Sequence, residues 1–474
     1  MPSAIIVGAG PNGLAAAIEL ARAGWSVRVY EAKDTIGGGA RSAELTLPGF
    51  VHDICSAIHP LGAGSPFLSQ LPLGDYGLEW IQPDIPLAHP LGDDRAVALY
   101  PSIDETAAQL GVDSRTYCWL MEPLADHWPQ LSTDILGPLL RIPRHPFLMA
   151  RFGITAVAPA KLLARTLFRT PQARALLAGN AAHSQLPLEM PLSASFGLVL
   201  MLLGHVIGWP LPRGGSQSLM NAMAAYLQSL GGEIITSRPV ENVDDLPAAD
   251  AVLLDITPRQ LLQLAGHRLP DGYKRWLENY RYGMGIFKLD YALAGPIPWR
   301  AEACRRAGTV HVGGPLDDVA VSESAAWHGG ISDRPFLIVA QQSLFDDSRA
   351  PAGQHTCWAY CHTPLGSTED YSERIEQQIE RYAPGFRDLI LARHTMHSSD
   401  YERYNPNYIG GDINGGAQDA LQLFFRPTPS LVPYATPAKG LYLCSSSTPP
   451  GGGVHGLCGY HAAQAVLRQS ARSN

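Results

Sequence analysis

Hydrophobic and polar positions form their clearest pattern at the start of the chain. An apolar run at 4–7 is followed by an Ala- and Leu-rich segment that continues to Ala23, and a β-rich run occupies 27–30. The two short runs predict strands, and the segment between them predicts a helix that ends at Gly24. We therefore expect the chain to begin with a strand–helix–strand unit.

Apolar runs and helical periodicity predict further strands and helices along the rest of the chain. Short apolar runs predict strands at 233–236, 240–243, 250–255, 286–293, 336–343, 356–362 and 441–444. Helical periodicity and its flanking glycine or proline residues predict helices near 103–110, at 216–230, after Pro258, at 371–382 and at the C-terminus. The runs at 286–293, 336–343 and 356–362, with the helix at 371–382, indicate an antiparallel sheet that carries a helix.

The most apolar stretch of the chain, 194–209, is a candidate membrane-spanning helix. It contains His205, stops at Pro210 and is shorter than the about 20 apolar residues that a spanning helix needs. We interpret it as a buried helix.

Glycines in the first unit indicate a ligand. Gly8, Gly10 and Gly13 stand in G-x-G-x-x-G spacing between the first strand and the helix. This spacing permits a tight turn, a close approach of the backbone to a pyrophosphate, and close packing of helix on strand. Glu31, after the second strand, can bind an adenosine ribose. The unit predicts a dinucleotide site; the alternative is a βαβ crossover with incidental glycines. Residues 451–456 match the spacing without the following strand and acid.

A second motif follows Glu31 and bears on which dinucleotide binds. Gly37 to Gly39 precede Arg41, and an arginine suits a pyrophosphate because its planar fork pairs with phosphate oxygens. This stretch resembles the second glycine–arginine motif of FAD-containing oxidoreductases in the amine-oxidase and phytoene-desaturase superfamily, with one inserted residue, Ala40. An NAD dehydrogenase would not need the motif, so FAD is the predicted cofactor.

The end of the chain carries a related signal. A predicted strand at 441–444 leads into small residues, the glycines 451–453, and a helix. If this helix N-terminus pointed at a flavin, it would stabilise negative charge on the reduced ring. The alternative is a glycine-rich turn that closes a last strand–helix unit.

These motifs, in this order, resemble the phytoene-dehydrogenase-related flavoproteins over nearly the whole chain. The resemblance implies an α/β fold: an FAD-binding Rossmann-like domain of the glutathione-reductase type, assembled from separated segments, with an inserted α+β substrate domain. The implied FAD segments are 1–75, 210–285 and 425–474, and the implied substrate segments are 76–209, mostly helical, and 286–424. The implied FAD-binding residues are Gly8, Gly10, Pro11, Asn12, Gly13, Glu31, Ala32, Gly38, Gly39, Arg41, Val240, Gly452, Gly453 and Val454.

No catalytic residue follows from the resemblance, so the candidates come from position alone. His455 and Tyr460 adjoin the C-terminal glycine turn, and His59 lies in the first loop. An imidazole titrates near working pH and could accept a proton or orient a substrate. The alternative is that His455 only packs or bonds backbone in a tight turn. No metal site is predicted, because no residues stand at metal-ligand spacing.

Composition narrows the class of protein. The 474 residues carry a formal net charge of -8, which argues against a nucleic-acid surface. Seven cysteines over this length do not make a disulfide scaffold, and Cys357 and Cys361 are interpreted as packed thiols on one strand face. With no signal-peptide pattern, we expect a cytoplasmic protein.

One segment combines apolar and basic residues with almost no acid. Residues 131–170 contain Arg141, Arg144, Arg151, Lys161, Arg165 and Arg169 among short apolar runs. Such a segment suits helices that cap a binding cavity, or an amphipathic patch in weak peripheral contact with acidic lipid.

The predicted function is an FAD-dependent dehydrogenase or desaturase that passes a hydride from an apolar or amphipathic organic substrate to the flavin. Two alternatives stay open: a redox-neutral isomerase that uses reduced FAD, and a protein that binds FAD structurally and acts through a partner. Oxygen and a quinone are the candidate electron acceptors. Neither the substrate nor the oligomeric state follows from the sequence.

Overall fold

The computed structural model describes residues 1–92 and 94–473. The strands are β1 (Ser3–Val7), β2 (Ser26–Tyr30), β3 (Ser42–Glu44), β4 (Val51–Asp53), β5 (Trp80–Ile81), β6 (Ile85–Gly92), β7 (Arg95–Leu99), β8 (Leu211–Pro212), β9 (Glu233–Ile235), β10 (Ala251–Leu254), β11 (Gly285–Leu293), β12 (Ala307–Val312), β13 (Leu337–Ala340), β14 (His355–Thr363), β15 (Ile390–Met396) and β16 (Leu441–Leu443).

Helices occupy the remaining regular structure. They are α1 (Pro11–Arg22), α2 (Pro60–Ala63), α3 (Ile103–Ala108), α4 (Ser114–Ala125), α5 (Trp128–Ile135), α6 (Pro146–Ala156), α7 (Ala160–Leu167), α8 (Pro171–Ala182), α9 (Ser193–Val206), α10 (Ser216–Ser229), α11 (Pro258–Ala265), α12 (Asp271–Glu278), α13 (Glu302–Arg306), α14 (Leu316–Trp327), α15 (Ser372–Tyr382), α16 (Ser398–Tyr404), α17 (Ala420–Phe425) and α18 (Leu457–Ser473).

A parallel sheet with strand order β16-β10-β1-β2-β9 unites three distant parts of the chain. From Ala4 to Val7, β1 is apolar because both of its faces are buried: Ile6 packs towards α1 and α18, while Ile5 and Val7 pack with residues of α11 and α12. This sheet confirms the predicted Rossmann-like domain built from separated segments.

A larger mixed sheet has the strand order β15-β11-β14-β13-β12-β6-β7. Neighbouring strands are antiparallel except β12 and β6, which run parallel. The amphipathic helix α15 covers one face through Ile375 and Ile379. Ile338 and Tyr360 on the opposite face belong to the core formed with the helices α4 to α9.

Some strands differ from the expectation. The predicted strand at 240–243 is wrong: Pro239 has no N–H to pair, and the Asn242 side chain instead accepts a hydrogen bond from the Asp244 N–H, which starts a short 3₁₀ turn. The strands β3 to β8, β12 and β15 were not predicted.

The apolar stretch 194–209 forms α9 and is buried, as predicted, with Leu198, Met201 and Leu202 fully inaccessible. In the described part of the chain, no single helix has the length and apolar character to cross a membrane. The pair α6 and α7, bent by 94°, reaches that length and apolar character only together.

Candidate functional site

A cavity of about 780 Å³ begins at the carboxyl ends of the parallel strands, which is where open α/β sheets bind ligands. It continues between the large sheet and the helices α6 and α9, where Phe152, Leu200, Trp358 and Tyr360 line it. One space therefore joins the glycine turn to an apolar pocket.

The turn after β1 requires glycine at two positions. Gly8 has φ +102°, a backbone conformation that side chains disfavour, and its N–H donates to the Tyr30 carbonyl. A Cβ on Gly13 would lie 2.0 Å from the Gly8 carbonyl oxygen, so α1 can start this close to β1 only with glycine there. These are the two backbone roles that the spacing predicts.

Gly10 lines the cavity, but its surroundings differ from the expectation. A Cβ here would lie 2.9 Å from Oδ2 of Asp255, so the nearest obstacle is a carboxylate. The same oxygen accepts a hydrogen bond from the Gly13 N–H at 2.9 Å. Burial, reinforced by the negative charge of Glu31, raises the pKa of Asp255 to about 7. Sequence reasoning missed Asp255, although an acid directly after a buried parallel strand was the available signal.

Glu31 is held rigidly at the tip of β2. Its Oε2 accepts from the Ala9 N–H and its Oε1 from the Lys33 N–H, both at 2.9 Å. Ala32 and Val240 line the cavity with it, and the Arg238 N–H donates to the Glu31 carbonyl. This end of the cavity presents a fixed carboxylate beside small and apolar side chains.

Arg41 is buried against the second glycine cluster. Its guanidinium donates to the Thr35 carbonyl at 2.7 Å and lies 3.3 Å from Glu31 Oε1. Tyr404 stacks on it at 5.5 Å and donates to the Gly38 carbonyl. A Cβ on Gly39 would lie 1.9 Å from the Tyr408 hydroxyl oxygen. The two tyrosines, which sequence reasoning missed, come from the segment that follows β15.

Gly452, Gly453 and Val454 line the middle of the cavity. Gly453 has φ +122°, and a Cβ on Gly62 of α2 would lie 2.9 Å from the Val454 carbonyl oxygen. The glycine turn is therefore packed closely on α2 before α18 begins.

His455 caps α18. Its Nδ1 accepts the Leu457 N–H at 3.0 Å, so the ring proton lies on Nε2. The ring is almost inaccessible, and burial lowers the pKa of His455 to about 4. These contacts support the alternative interpretation, a histidine that stabilises a turn.

His59 lines the cavity and has one unused nitrogen. Ser216 donates its hydroxyl proton to the Ser56 carbonyl at 2.6 Å, so His59 must donate Nε2–H to Ser216 Oγ at 2.8 Å. The lone pair on His59 Nδ1 then has no partner among the described residues. Burial lowers the pKa of His59 to about 4 and keeps the imidazole neutral.

Tyr460 does not adjoin the cavity, which corrects the expectation from sequence. It lies on the first turn of α18, and its ring stacks on Phe67 at 5.0 Å, because the helix directs this position towards the core of the parallel-sheet domain. It contributes packing between distant segments.

The apolar end of the cavity carries a few polar side chains that sequence reasoning missed. His183 and Gln185 follow α8, and Thr309 lies on β12. Thr309 lies more than a hundred positions after His183 and Gln185, and no motif connects it to them. Only the fold brings them together.

Sequence relatives cover almost the whole chain. Residues 6–71 match the NAD(P)-binding Rossmann-like domain family. The chain is 26% identical to pyridine nucleotide-disulfide oxidoreductase domain-containing protein 2 of Mus musculus, over 98% of this chain and 93% of the mouse protein. It is 25% identical to the neurosporene-forming phytoene desaturase of Rhodobacter capsulatus, over 52% of this chain and 51% of that protein.

Solved structures share the fold. An oxidoreductase from Methanosarcina mazei superposes with a TM-score of 0.67 at 16% identity, over 98% of this chain and 100% of that chain. Putrescine oxidase bound to putrescine superposes with a TM-score of 0.62 at 19% identity, over 99% of both chains. The sequence relatives thus include a phytoene desaturase and a pyridine nucleotide-disulfide oxidoreductase domain-containing protein, as the resemblance predicts, and the solved structures share the fold.

Proposed function

We propose that this protein is an FAD-dependent oxidoreductase, a dehydrogenase or desaturase that takes a hydride from an apolar or amphipathic organic molecule. The observation that carries the proposal is the continuity of the cavity, which joins a dinucleotide-type glycine turn to an apolar pocket. In this arrangement the glycine turn would hold the pyrophosphate and the flavin ring would reach the apolar pocket, where the substrate is held against it.

Successive parts of the cavity fit successive parts of an FAD molecule. Glu31 would bind the ribose, with Val240 and Ala32 beside the adenine. The N-terminus of α1 and the glycines at 38–39 would hold the pyrophosphate, with Arg41 behind them. Gly452 and Gly453 would let the backbone approach the flavin ring.

FAD, when bound, supplies an acceptor for two electrons and a proton as a hydride. The protein's part is to hold the substrate and exclude water, for which Phe152, Leu200 and Trp358 supply apolar walls at this end of the cavity. Dehydrogenation also releases a proton from the substrate. His59 is the candidate to receive it, because its Nδ1 lone pair has no other partner among the described residues.

Anaerobic mixing with candidate substrates tests this proposal. A dehydrogenase substrate bleaches the visible absorbance of the flavin in a single turnover, and oxygen or a quinone then restores it. Product formation that needs prior reduction of the flavin and consumes no acceptor would identify the isomerase instead. A flavin that no apolar or amphipathic compound reduces would favour the non-catalytic alternative.

We also propose that α6 brings the protein into peripheral contact with acidic lipid. Ile142 and Phe147 are each 91% exposed, next to the exposed Arg141 and Arg144. The opposite face of α6 lines the cavity through Phe152. An apolar substrate dissolved in lipid would thus meet the helix that closes the cavity.

A further inference from the structure

The apolar end of the cavity holds polar atoms that the fold does not satisfy. Oε1 of Gln185 and Oγ1 of Thr309 have no hydrogen-bond partner in the described part of the chain. Their residues are 4% and 1% exposed, and both line the cavity. A buried polar atom without a partner destabilises the folded protein, so such atoms in a cavity point to a ligand that pairs with them.

The backbone at Gln185 supports the same conclusion. Its φ is +54°, a conformation that is uncommon outside glycine. Gln185 lies shortly after the end of α8, from which His183 and Ser184 separate it. Strain of this kind persists where the surrounding structure requires it, and here it brings the Gln185 side chain to the cavity.

The third polar group of the cavity is His183, and its contact with His311 determines which of its ring nitrogens carries the proton. Nε2 of His183 lies 2.8 Å from Nε2 of His311, so one ring donates and the other accepts. Nδ1 of His311 is buried with no partner among residues 1–92 and 94–473. Unpaired buried N–H groups are rarer than unpaired acceptors, so the His311 proton belongs on Nε2, where it has a partner. His183 then carries its own proton on Nδ1 and remains a hydrogen-bond donor.

The positions of the charged side chains along the cavity restrict the charge that a ligand can carry at the apolar end. Among the described residues that line the cavity, the acidic and basic side chains other than histidine are Glu31, Lys33, Arg41, Arg238 and Asp255. All of them belong to the parallel-sheet domain or to segments beside it. Burial lowers the pKa of His183 to about 3, so this histidine is neutral as well. A cationic amine or a carboxylate would lie at the apolar end without a counter-charge, which is costly.

We infer that the substrate is an apolar molecule with one hydroxyl group, which donates a hydrogen bond to Oε1 of Gln185 and accepts from Nδ1–H of His183 and from the Thr309 hydroxyl. This inference rests on the proposed oxidoreductase function and specifies its substrate class. A plain hydrocarbon would leave the three groups unsatisfied, and an amine would be buried with its charge.

Equilibrium dialysis of the purified flavoprotein, reduced beforehand with dithionite and kept anaerobic so that no alcohol or amine is oxidised, tests the inference with three probes of one carbon skeleton: cuminyl alcohol, cuminylamine and p-cymene. We expect cuminyl alcohol to bind about 10-fold more tightly than the other two, since one net hydrogen bond corresponds to about that factor. Thr309→Val and Gln185→Asn should each reduce the affinity for the alcohol towards that for p-cymene. Asparagine tolerates the positive φ at position 185.

Thr356→Val is the matched control. Thr356 lies on β14, is 1% exposed, and also has an unpartnered Oγ1 within the described structure, but it does not line the cavity. Its variant should keep the preference for the alcohol. Equal binding of alcohol and p-cymene, tighter binding of the amine, or an unchanged preference in Thr309→Val would overturn the inference. Binding is read without turnover and FAD content is measured separately, so failure here is distinguishable from failure of the proposed function.

Discussion

At the scale of single residues, Asp255 determines how well the glycine turn can receive an anion. It lies beside Gly10 and accepts the Gly13 N–H, which is one of the first N–H groups of α1. An ionised carboxylate there would repel a pyrophosphate, whereas the neutral acid would not. The pKa of Asp255, raised by burial to about 7, puts this change within the working range of pH.

We therefore expect the affinity for FAD to fall as pH rises through about 7, because Asp255 ionises there. Asp255→Asn keeps an oxygen for the Gly13 N–H and cannot ionise, so its affinity should stay constant over the same window. Titrations of apoprotein with FAD, followed by flavin fluorescence at about pH 6 and about pH 8, measure both proteins. The same pH dependence in both would exclude Asp255 as the cause.

His455 is expected to act on stability. Its Nδ1 caps α18 through the Leu457 N–H, so His455→Ala should lower the free energy of unfolding by about 1 kcal/mol. His455→Asn, which can accept the same hydrogen bond, should restore most of that loss. Urea unfolding measures the difference.

The rate of anaerobic flavin reduction separates capping from chemistry at this position. Both variants should be reduced at nearly the wild-type rate. A rate lower by about 10²-fold in both, with FAD still bound, would instead assign His455 to acid–base catalysis.

At the scale of elements, α6 has two apolar faces with different neighbours. Met149, Phe152 and Ala156, at helical spacing, line the cavity, while Phe147 and Ile154 are exposed. A helix with this pattern can close a cavity on one side and enter a lipid surface on the other.

We expect the protein to float with vesicles that contain acidic lipid and to bind neutral vesicles less, because Arg141 and Arg144 adjoin the exposed apolar residues. Changing Ile142 and Phe147 together to serine should abolish flotation. Val112→Ser is the control, since Val112 is 74% exposed but lies on a short turn between α3 and α4. Equal flotation with neutral and acidic vesicles would remove the electrostatic part of this proposal.

Elements with a strong local pattern could be predicted, and those specified by distant partners could not. β1, α1 and β2 carry their own apolar runs and glycine stops, and they form as predicted. β6 contains Pro86 and Pro90, which resemble loop residues in sequence. It pairs with β12, more than 200 positions away, and with its neighbour β7, so its strand character depends on tertiary contacts.

The residues of the candidate site also divide into those that a local sequence pattern predicts and those that only the folded chain brings together. The backbone roles of Gly8 and Gly13 could be predicted because spacing within one unit determines them, and Glu31, predicted from the same unit, lines the cavity. Asp255, Tyr404 and the polar group around His183 come from separate segments, and only folding brings them to one cavity. Tyr460 was misplaced because a helix directs neighbouring positions to different sides.

At the scale of the whole molecule, buried histidines link stability to pH. Burial lowers the pKa of several histidines to about 4: His52, His59, His89, His205, His455 and His461. The unfolded chain, in which these groups titrate near 6.5, binds more protons than the folded chain between these values. Their stabilisation is present above about pH 6.5 and is lost as the pH falls towards 4.

We expect the free energy of unfolding to decrease steeply from about pH 6.5 to about pH 4, with each histidine contributing up to about 1.4 kcal/mol per pH unit. Asp255 opposes this trend with one group, because its folded pKa is raised and its stabilisation is lost as the pH rises through about 7. Urea unfolding at several pH values measures the slope. A free energy that does not change over this range would contradict the burial of these imidazoles.

If the long cavity holds a flavin dinucleotide, the cofactor released from the purified protein will identify it. Purified protein is denatured by heat, and the supernatant is analysed by chromatography and mass spectrometry. We expect FAD in a ratio approaching one per chain, because Glu31, the glycine turn and the C-terminal glycines line one continuous space. FMN alone, a nicotinamide dinucleotide alone, or a stable protein with no affinity for added FAD would contradict it.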